Sequence, residues 1–149
     1  MKFSEILFLQ NVVNNAHADS KKSILELISK LIAQNLVDIN YEQIFECFVS
    51  REKLGSTGIG HGVAIPHGRI ENLSKPIAVF VRLQDAIDFE ANDNQPVDLF
   101  FALLVPGQDE NKYLEILSEI AEKFSHRSFR EQLRQAKDDE ELYKVLVGS

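Results

Sequence analysis

Apolar residues recur at helical spacing in the first part of the chain. Asp19 or Ser20 can cap a helix there, because each has a short side chain whose oxygen accepts hydrogen bonds from the first turn. The pattern predicts a helix that starts at this point and runs to about Gln34. Its apolar stripe consists of Ile24, Leu27, Ile28, Leu31 and Ile32.

A second helical stripe follows within a few residues. Asn40 and Gln43 stand three positions apart, which is the spacing of a capping box. Gly55 offers a place for the helix to end. We therefore predict a helix over residues 41 to 53, with an apolar stripe formed by Ile44, Phe45, Phe48 and Val49.

The middle of the chain has the composition of β-strands. A short apolar stretch around Val12 and Val13 comes first. Residues 77 to 83 (IAVFVRL) are rich in β-branched and aromatic side chains. Residues 97 to 105 (VDLFFALLV) are almost wholly apolar and stand between two prolines. Such a continuous run predicts a strand that is covered on both faces of its sheet.

The helical period returns after Pro106. One predicted helix places on a single face Leu114, Leu117, Ile120, Ala121 and Phe124. Two short helices are predicted to follow, one opened by Ser128 with Glu131 and one by Asp138 with Glu141. Helices, then strands, then helices around one core indicate a sandwiched α/β or α+β domain.

Composition and charge narrow the class of protein. The 149 residues fit one domain, and 44% hydrophobic with 26% charged residues exclude a disordered or fibrous chain. The formal net charge of −7 argues against nucleic acid as a partner. Cys47, the single cysteine, cannot form an internal disulfide and lies beside the stripe of the second helix, where a packed thiol is expected.

The expected location is the cytoplasm. A lone cysteine suits a reducing compartment. No apolar run approaches the length of a membrane span, and the amino terminus lacks the pattern of a signal peptide. We therefore expect neither membrane insertion nor export.

The chemistry-bearing segment is rich in glycine. Residues 55 to 68 (GSTGIGHGVAIPHG) contain five of the seven glycines, and they predict a loop that leads into a short strand at 63 to 65. His67 follows Pro66, whose ring restricts the backbone, and precedes Gly68, which has no side chain to block an incoming group. A neutral imidazole there could act as a nucleophile toward phosphorus. A turn histidine that only bonds its neighbours fits the same residues.

Several neighbours of His67 could hold a phosphoryl group. Arg51 offers a planar fork of donors, and Ser56 and Thr57 offer hydroxyl groups. Backbone N–H groups around the glycines could wrap an anion. Phosphoryl transfer depends mainly on such positioning and charge stabilisation. A solvated charge at the end of a helix would explain Arg51 equally well.

Other uses of the segment fit less well, and we expect no cofactor or metal. The segment lacks the lysine and hydroxyl of the Walker loop GxxxxGK[ST], and it contains no GxGxxG. His61 and His67 have no cysteine or HExxH motif near them in sequence, which disfavours zinc. In the acidic stretch 88 to 98, Asp93 stands where a calcium loop needs glycine, so a solvated turn is expected.

Four segments together resemble one known family. They are SREKLGSTGIG at 50 to 60, AIPHG at 64 to 68, DNQPVDLFFALLVP at 93 to 106 and the closing DDEELYKVL. From about residue 10 to the end, the chain resembles the type-2 EIIA domains (fructose and mannitol class) of the bacterial phosphoenolpyruvate:sugar phosphotransferase system, and within them the nitrogen-regulatory branch. The resemblance implies a single domain, over 1 to 149, with a mixed β-sheet flanked by helices on both sides.

The resemblance also implies roles for individual residues. His67 would accept a phosphoryl group on Nε2 from the phosphohistidine of an HPr-like carrier protein. Arg51 would lie beside it, and Ser56 and Thr57 would supply neighbouring hydroxyl groups. His61 occupies a variable position of the motif, so it is expected only at the rim of the site.

One position departs from the pattern of the family. Sugar-transporting relatives, and some regulatory ones, carry a second histidine near the start of the helix that follows the LLVP strand, and Tyr113 stands there in this chain. A tyrosine can donate a hydrogen bond to phosphate, but it cannot carry the charge of an imidazolium. Packing against Leu117 would explain Tyr113 equally well.

These features lead to one functional hypothesis and two alternatives. The chain contains no recognisable linker to a transporter domain or a second phosphocarrier domain. We therefore expect a nitrogen-regulatory phosphotransferase component, rather than a stand-alone metabolic enzyme, whose phosphorylation state governs partner proteins. The alternatives are a sugar-specific EIIA that passes phosphate to a permease domain and a binding module that never takes phosphate.

Overall fold

The computed structural model describes residues 2–108 and 110–148. Two single 3-10 turns, Phe3–Glu5 and Leu9–Asn11, precede strand β1 (Val12–Ala16). Helices α1 (Lys21–Ala33) and α2 (Tyr41–Lys53) follow. The other strands are β2 (Gly58–Gly60), β3 (Val63–Ala64), β4 (His67–Ile70), β5 (Ile77–Ile87) and β6 (Val97–Pro106), and the last helices are α3 (Glu110–Phe124), α4 (Arg127–Gln135) and α5 (Asp139–Val147).

The six strands form one mixed sheet. Its order is β1-β5-β6-β3-β2, and β4 pairs with β6 as well. Strands β3 and β4 both run parallel to β6, so they lie end to end along one side of it. The pairs β5–β6 and β2–β3 are antiparallel, and β1 is parallel to β5. The segment between β3 and β4 is therefore held against the middle of the sheet.

Helices cover both faces of the sheet, as expected. Because side chains alternate along a strand, β6 contributes to two cores. Phe101 and Leu103 face a core that includes residues of α3, α4 and α5. Phe100 and Leu104 face the opposite core, built with α1 and α2. The central strand is thus buried on both sides, which explains its continuous apolar sequence. Among the described residues, no helix is both long and apolar enough to cross a membrane.

The first two helices begin at the predicted caps. The Ser20 hydroxyl accepts a hydrogen bond from the backbone N–H of Ser23, and the Ser23 hydroxyl completes a capping box. Asn40 and Gln43 form the second capping box, so α2 occupies the predicted residues. Each box satisfies backbone donors that a helix start would otherwise leave without partners.

The two C-terminal helices begin differently. Asp138 caps α5 by accepting a hydrogen bond from the N–H of Glu141 at 2.8 Å, as predicted. The predicted cap of α4 is wrong. The helix begins two residues earlier, with His126 at the N-cap position, and the N–H of Arg130 donates to the carbonyl of His126 at 3.2 Å. Ser128 consequently lies inside the helix, where its side chain cannot cap the first turn.

The apolar face of α3 also differs from the prediction. Leu114 is 57% exposed, although the sequence pattern placed it on the buried face. The buried stripe repeats every four residues and consists of Ile116, Ile120 and Phe124. Leu117 and Ala121 pack partly against the core beside that stripe. Helical spacing alone is compatible with more than one buried face of α3. Contact with the sheet decides which face is buried, and Leu114 lies outside it.

The glycine-rich segment holds two strands that the sequence did not predict. β2 pairs with β3, and β4 resumes the pairing with β6 after Pro66. Proline has no N–H for a sheet, but the Pro66 carbonyl accepts a hydrogen bond from the N–H of Leu103 at 2.9 Å. His67 is therefore the first residue of β4, at a break between two collinear strands. β5 is also longer than predicted and extends to Ile87.

Helix α2 approaches β4 very closely at Gly68. A Cβ atom added to Gly68 would overlap the Sγ atom of Cys47. The thiol donates to the carbonyl of Arg69 at 3.3 Å, and burial raises the pKa of Cys47, as fits the expected packed thiol. The space that a side chain of residue 68 would need is thus filled by Cys47 rather than left open to an incoming group. This contact sets the separation between α2 and the strand that carries His67.

Two truncations on α3 test its orientation. Because Ile120 is fully buried, we expect Ile120→Ala to lower the free energy of unfolding by about 2–5 kcal/mol. We expect Leu114→Ala, at an exposed position of the same helix, to lower it by less than about 0.5 kcal/mol. Urea unfolding followed by circular dichroism measures both values, and equal losses would contradict the orientation described.

The contact between α2 and β4 gives a second stability prediction. Gly68→Ala should lower the free energy of unfolding by about 1–3 kcal/mol, because the new methyl group meets the Cys47 thiol. Cys47→Ala removes that thiol, so the double variant should recover most of the loss. Urea unfolding of the unchanged protein, the two single variants and the double variant gives the four free energies of unfolding of this double-mutant cycle. Strictly additive losses would show that this contact does not cause the effect.

Candidate functional site

His67 lies at the break between β3 and β4 with a fixed ring orientation. Its Nδ1 atom is 2.6 Å from the carbonyl oxygen of Ile65, two residues earlier. A carbonyl oxygen can only accept, so Nδ1 carries the proton in this contact. The lone pair of the neutral ring is therefore on Nε2. The break at Pro66 places that carbonyl and the ring within reach of each other.

Arg51 places its guanidinium group against the free nitrogen of His67. Its Nε donates to His67 Nε2 at 3.2 Å, which agrees with the tautomer inferred from Ile65. Its Nη1 donates to the carbonyl of Gly55 at 2.8 Å, so the fork is held between the imidazole and the loop that follows α2. The structure thus brings together the predicted nucleophile and the predicted cation.

The surroundings keep the imidazole of His67 neutral. Burial is the main cause that lowers its pKa below the ordinary value of 6.5. The Arg51 cation lowers the pKa further, while the Ile65 carbonyl and the Glu52 carboxylate act in the opposite direction. Because the net shift is downward, the ring is neutral at neutral pH and Nε2 is available as a nucleophile.

Glu52 organises the loop beside Arg51, a role that the sequence pattern did not predict. Its carboxylate is 6% exposed and lies 3.2 Å from Lys21 Nζ. It accepts two hydrogen bonds from the Thr57 N–H, at 2.9 and 3.1 Å, and another from the Thr57 hydroxyl. These donors compensate the burial of the charge. The spacing of Glu52 and Thr57 was visible in the sequence, but only the fold brings Lys21 to them.

The hydroxyl groups of Ser56 and Thr57 bond within the loop itself. Ser56 Oγ donates to the carbonyl of Phe89 at 3.2 Å and accepts from the N–H of Gly58 at 3.0 Å. Thr57 is buried, and its hydroxyl bonds to Glu52. Both residues order the loop that anchors Arg51. Their direct contact with a phosphoryl group stays a prediction.

Tyr113 lies beside His67, although α3 is distant from it in sequence. The two ring centroids are 5.8 Å apart, with 54° between the ring planes. The guanidinium of Arg69 lies 5.4 Å from the centroid of the Tyr113 ring. Burial raises the pKa of the phenol, and the cations of Arg51 and Arg69 act in the opposite direction. The phenol therefore keeps its proton and can donate a hydrogen bond.

His61 takes a different position from His67. It lies in the turn between β2 and β3 with a positive φ of 58°, and its side chain is exposed. Its backbone N–H donates to the carboxylate of Asp93, and its carbonyl accepts from Arg134. No cluster of three or more metal-ligating side chains occurs among residues 2–108 and 110–148. Asp93 thus orders the acidic turn by accepting backbone hydrogen bonds.

Comparison with known proteins places these features in one family. Residues 5–148 match the family described as phosphoenolpyruvate-dependent sugar phosphotransferase system, EIIA 2. The nitrogen regulatory protein of Escherichia coli K12 is 43% identical over 150 residues, which cover 100% of this chain and 91% of that protein. The fructose-like EIIA component of the same organism is 32% identical over 128 residues, which cover 86% of each chain.

A solved structure agrees in fold as well as in sequence. The crystal structure of the nitrogen regulatory protein IIA-Ntr from Neisseria meningitidis superposes with a TM-score of 0.90. The two chains are 41% identical, and the match covers 95% of this chain and 97% of that one. The sequence match and the fold match therefore extend over His67 and the elements that position it. On both grounds, this chain is a member of the EIIA 2 family of the phosphoenolpyruvate-dependent sugar phosphotransferase system.

Proposed function

We propose that this chain is a nitrogen-regulatory phosphotransferase component whose His67 accepts a phosphoryl group from the phosphohistidine of an HPr-like carrier protein. The phosphorylation state of His67 then decides which partner proteins the chain binds. One observation carries the proposal: Nδ1 is bonded to the Ile65 carbonyl, so the lone pair of the ring is on Nε2, beside the Arg51 guanidinium. The sequence comparison supports the regulatory branch, because this chain is 43% identical to the nitrogen regulatory protein of Escherichia coli and 32% identical to the fructose-like EIIA component of that organism.

The geometry supports a direct in-line transfer. His67 Nε2 attacks the phosphorus while the phosphorus–nitrogen bond to the donor histidine breaks, and the donor imidazole keeps that electron pair. The proton stays on Nδ1, hydrogen-bonded to the Ile65 carbonyl, throughout the transfer, so no proton has to move. Arg51 Nε–H, which no longer bonds to Nε2, donates to a phosphoryl oxygen. Its Nη1 remains anchored on Gly55, so little reorganisation is needed.

Tyr113 supplies a second donor beside the phosphorylated ring. Its protonated phenol lies in the same group of contacts as His67, Arg51 and Arg69. A tyrosine can bond a phosphoryl oxygen without offering a second imidazole as an acceptor. This chemistry suits a protein that holds its phosphoryl group as a signal more than one that passes it to a permease.

Exposed apolar side chains flank the proposed site along the chain. Leu54, at the end of α2, is 84% exposed, and Leu114, next to Tyr113, is 57% exposed. We take these two exposed side chains as contacts for a partner protein that docks at His67. A phosphoryl group on His67 adds about −1.5 to −2 units of charge near that surface. A partner protein that binds the unphosphorylated form will therefore bind the phosphorylated form with a different affinity.

Phosphoryl transfer can be tested directly. We expect the protein, incubated with phosphoenolpyruvate, Enzyme I and an HPr-type carrier, to gain the mass of one phosphoryl group, which is lost in acid. His67→Ala should gain none, because it removes the accepting nitrogen. His126→Ala is the matched control, since that histidine pairs with Glu122 on α3, and it should be phosphorylated normally. Intact mass spectrometry measures all three proteins.

Two results, one from that experiment and one from an assay of sugar phosphorylation, would contradict the proposal. No gain of mass with either the sugar carrier or the nitrogen carrier would favour a binding module that never takes phosphate. Transfer from the phosphorylated protein to labelled sugar, in the presence of membranes that carry permease domains, would favour a sugar-specific EIIA. We expect phosphorylation without sugar turnover.

The lowered pKa of His67 predicts the pH dependence of the reaction. The neutral ring is the reactive form, and it predominates above the pKa, so the rate should fall to half of its plateau only at a pH below 6.5, the ordinary histidine value. Arg51→Gln removes a neighbouring cation and should raise the pKa of His67. An NMR titration of the His67 ring in both proteins measures the two values. A pKa of 6.5 or more in the unchanged protein would contradict the described burial.

The same shift has a defined effect on stability. The unfolded chain has the ordinary histidine pKa of about 6.5, so it binds more protons than the folded state between that value and the lowered one. The free energy of unfolding should therefore fall as the pH drops through this interval. His67→Ala should lack this component, which urea unfolding at several pH values will show.

A further inference from the structure

A partly buried ion pair joins the start of α1 to the end of α2. Lys21, the first residue of α1, places its Nζ 3.2 Å from the carboxylate of Glu52. The Glu52 side chain is almost fully buried, so water contributes little to the solvation of its charge. Nζ also lies 3.4 Å from a carboxylate oxygen of Glu90, but that side chain is largely exposed. Lys21 therefore compensates the buried charge of Glu52 at contact distance.

Local helix preferences do not explain the position of Lys21. The start of a helix carries partial positive charge, which favours acidic residues in the first turn. The first turn of α1 contains no acidic residue and begins with two lysines, Lys21 and Lys22. Outside its own helix, Lys21 Nζ meets Glu52 and lies 4.9 Å from the centroid of the Phe89 ring. Contacts with other elements, rather than helix formation, thus account for a cation at position 21.

Glu52 is connected to the Nδ1 side of the His67 ring. Its carboxylate accepts hydrogen bonds from the N–H and the hydroxyl of Thr57. The carbonyl of Thr57 accepts from the N–H of Ile65 at 2.9 Å. The carbonyl of Ile65 is in turn the acceptor for His67 Nδ1 at 2.6 Å. A continuous series of hydrogen bonds therefore runs from the carboxylate to one nitrogen of the ring.

The same loop is connected to the Nε2 side of the ring. The backbone carbonyl of Glu52 accepts from the N–H of Gly55 at 3.1 Å. The carbonyl of Gly55 accepts from Arg51 Nη1, and Arg51 Nε donates to His67 Nε2. Gly55 and Thr57 stand two residues apart, and the Glu52 carboxylate fixes the second of them. Both hydrogen-bond partners of the His67 ring thus depend on one short loop.

We propose that Lys21 is a positioning residue for phosphoryl transfer, because its ammonium group keeps the Glu52 carboxylate ionised and buried against Thr57. Without that cation, the carboxylate binds a proton or moves into water, and either change weakens its hold on the loop. Lys21 acts through Glu52 and not on the reacting atoms. Its role in transfer rests on the proposed function, whereas its role in orienting the His67 ring does not.

Lys21→Met tests this role, since methionine keeps an apolar stem and lacks the charge. We expect the initial rate of phosphorylation by a phosphorylated HPr-type carrier to fall at least about tenfold, because small displacements of reacting groups are costly. Lys22→Met is the matched control. Lys22 lines the same cavity between α1 and α2, but its side chain is exposed, so this variant should react at the unchanged rate. Rapid quenching followed by intact mass spectrometry measures the rates.

A double variant separates charge compensation from a general loss of structure. Glu52→Gln removes the charge that needs Lys21 and keeps an amide oxygen that can accept from the Thr57 N–H. Lys21→Met/Glu52→Gln should therefore react about threefold faster, or more, than Lys21→Met alone. A double variant that is as slow as Lys21→Met, or slower, would show that Lys21 does not act by compensating Glu52, and it would overturn the proposal.

The tautomer of His67 is a readout that a merely structural role of Lys21 would leave unchanged. NMR of the isotope-labelled ring nitrogens, at a pH where the ring is neutral, shows which nitrogen carries the proton. We expect the proton on Nδ1 in the unchanged protein and a mixture of both tautomers in Lys21→Met. A folded Lys21→Met variant with an unchanged tautomer, or with an unchanged rate, overturns the proposal.

Failure of this proposal and failure of the proposed function give different results. If the unchanged protein takes no phosphoryl group, the proposed function fails, and the role of Lys21 in transfer fails with it. The tautomer of the unphosphorylated protein still decides whether Lys21 orients the His67 ring. If the unchanged protein is phosphorylated and Lys21→Met reacts equally fast, only the role of Lys21 fails.

Discussion

The hydrogen bond from His67 Nδ1 to the Ile65 carbonyl, at 2.6 Å, is the contact on which the site depends. It selects the tautomer and leaves the lone pair on Nε2. The contact lies where the chain loses one hydrogen bond to β6, because Pro66, between β3 and β4, has no N–H to donate. A residue with an N–H at that position would favour a continuous strand, in which side chains of neighbouring residues point to opposite faces. The nitrogen that carries the lone pair thus lies beside a missing hydrogen bond in the centre of the sheet.

The cation beside that nitrogen depends on the packing of α2 on β4. Gly68 and Cys47 allow the helix to approach the strand closely, because one has no side chain and the other has a small one. At that separation Arg51, in the last turn of α2, reaches His67. The next residue, Glu52, fastens the following loop through Thr57. The helix end therefore positions both the guanidinium and the loop that anchors it.

Much of the frame could be predicted from the sequence, since its signals are local. The capping box of Asn40 and Gln43 predicted the start of α2 correctly. The apolar run of β6 correctly indicated that helices cover both faces of the sheet. The failures share a physical cause, namely that the deciding contact is distant in sequence. β2 and β4 are three and four residues long and owe their form to pairing with β3 and β6. Lys21 meets Glu52 only because α1 packs on α2.

The tyrosine at position 113 changes the electrostatics of the proposed switch. With an imidazolium there, a phosphoryl dianion on His67 would be partly neutralised by one more cation at close range. Tyr113 can donate a hydrogen bond but carries no charge, and Arg51 and Arg69 are the cations around it that the structure identifies. More of the added negative charge then remains for a partner protein to detect. In a protein that already has a net charge of −7, the two states differ most for partners that rely on charge complementarity at this surface.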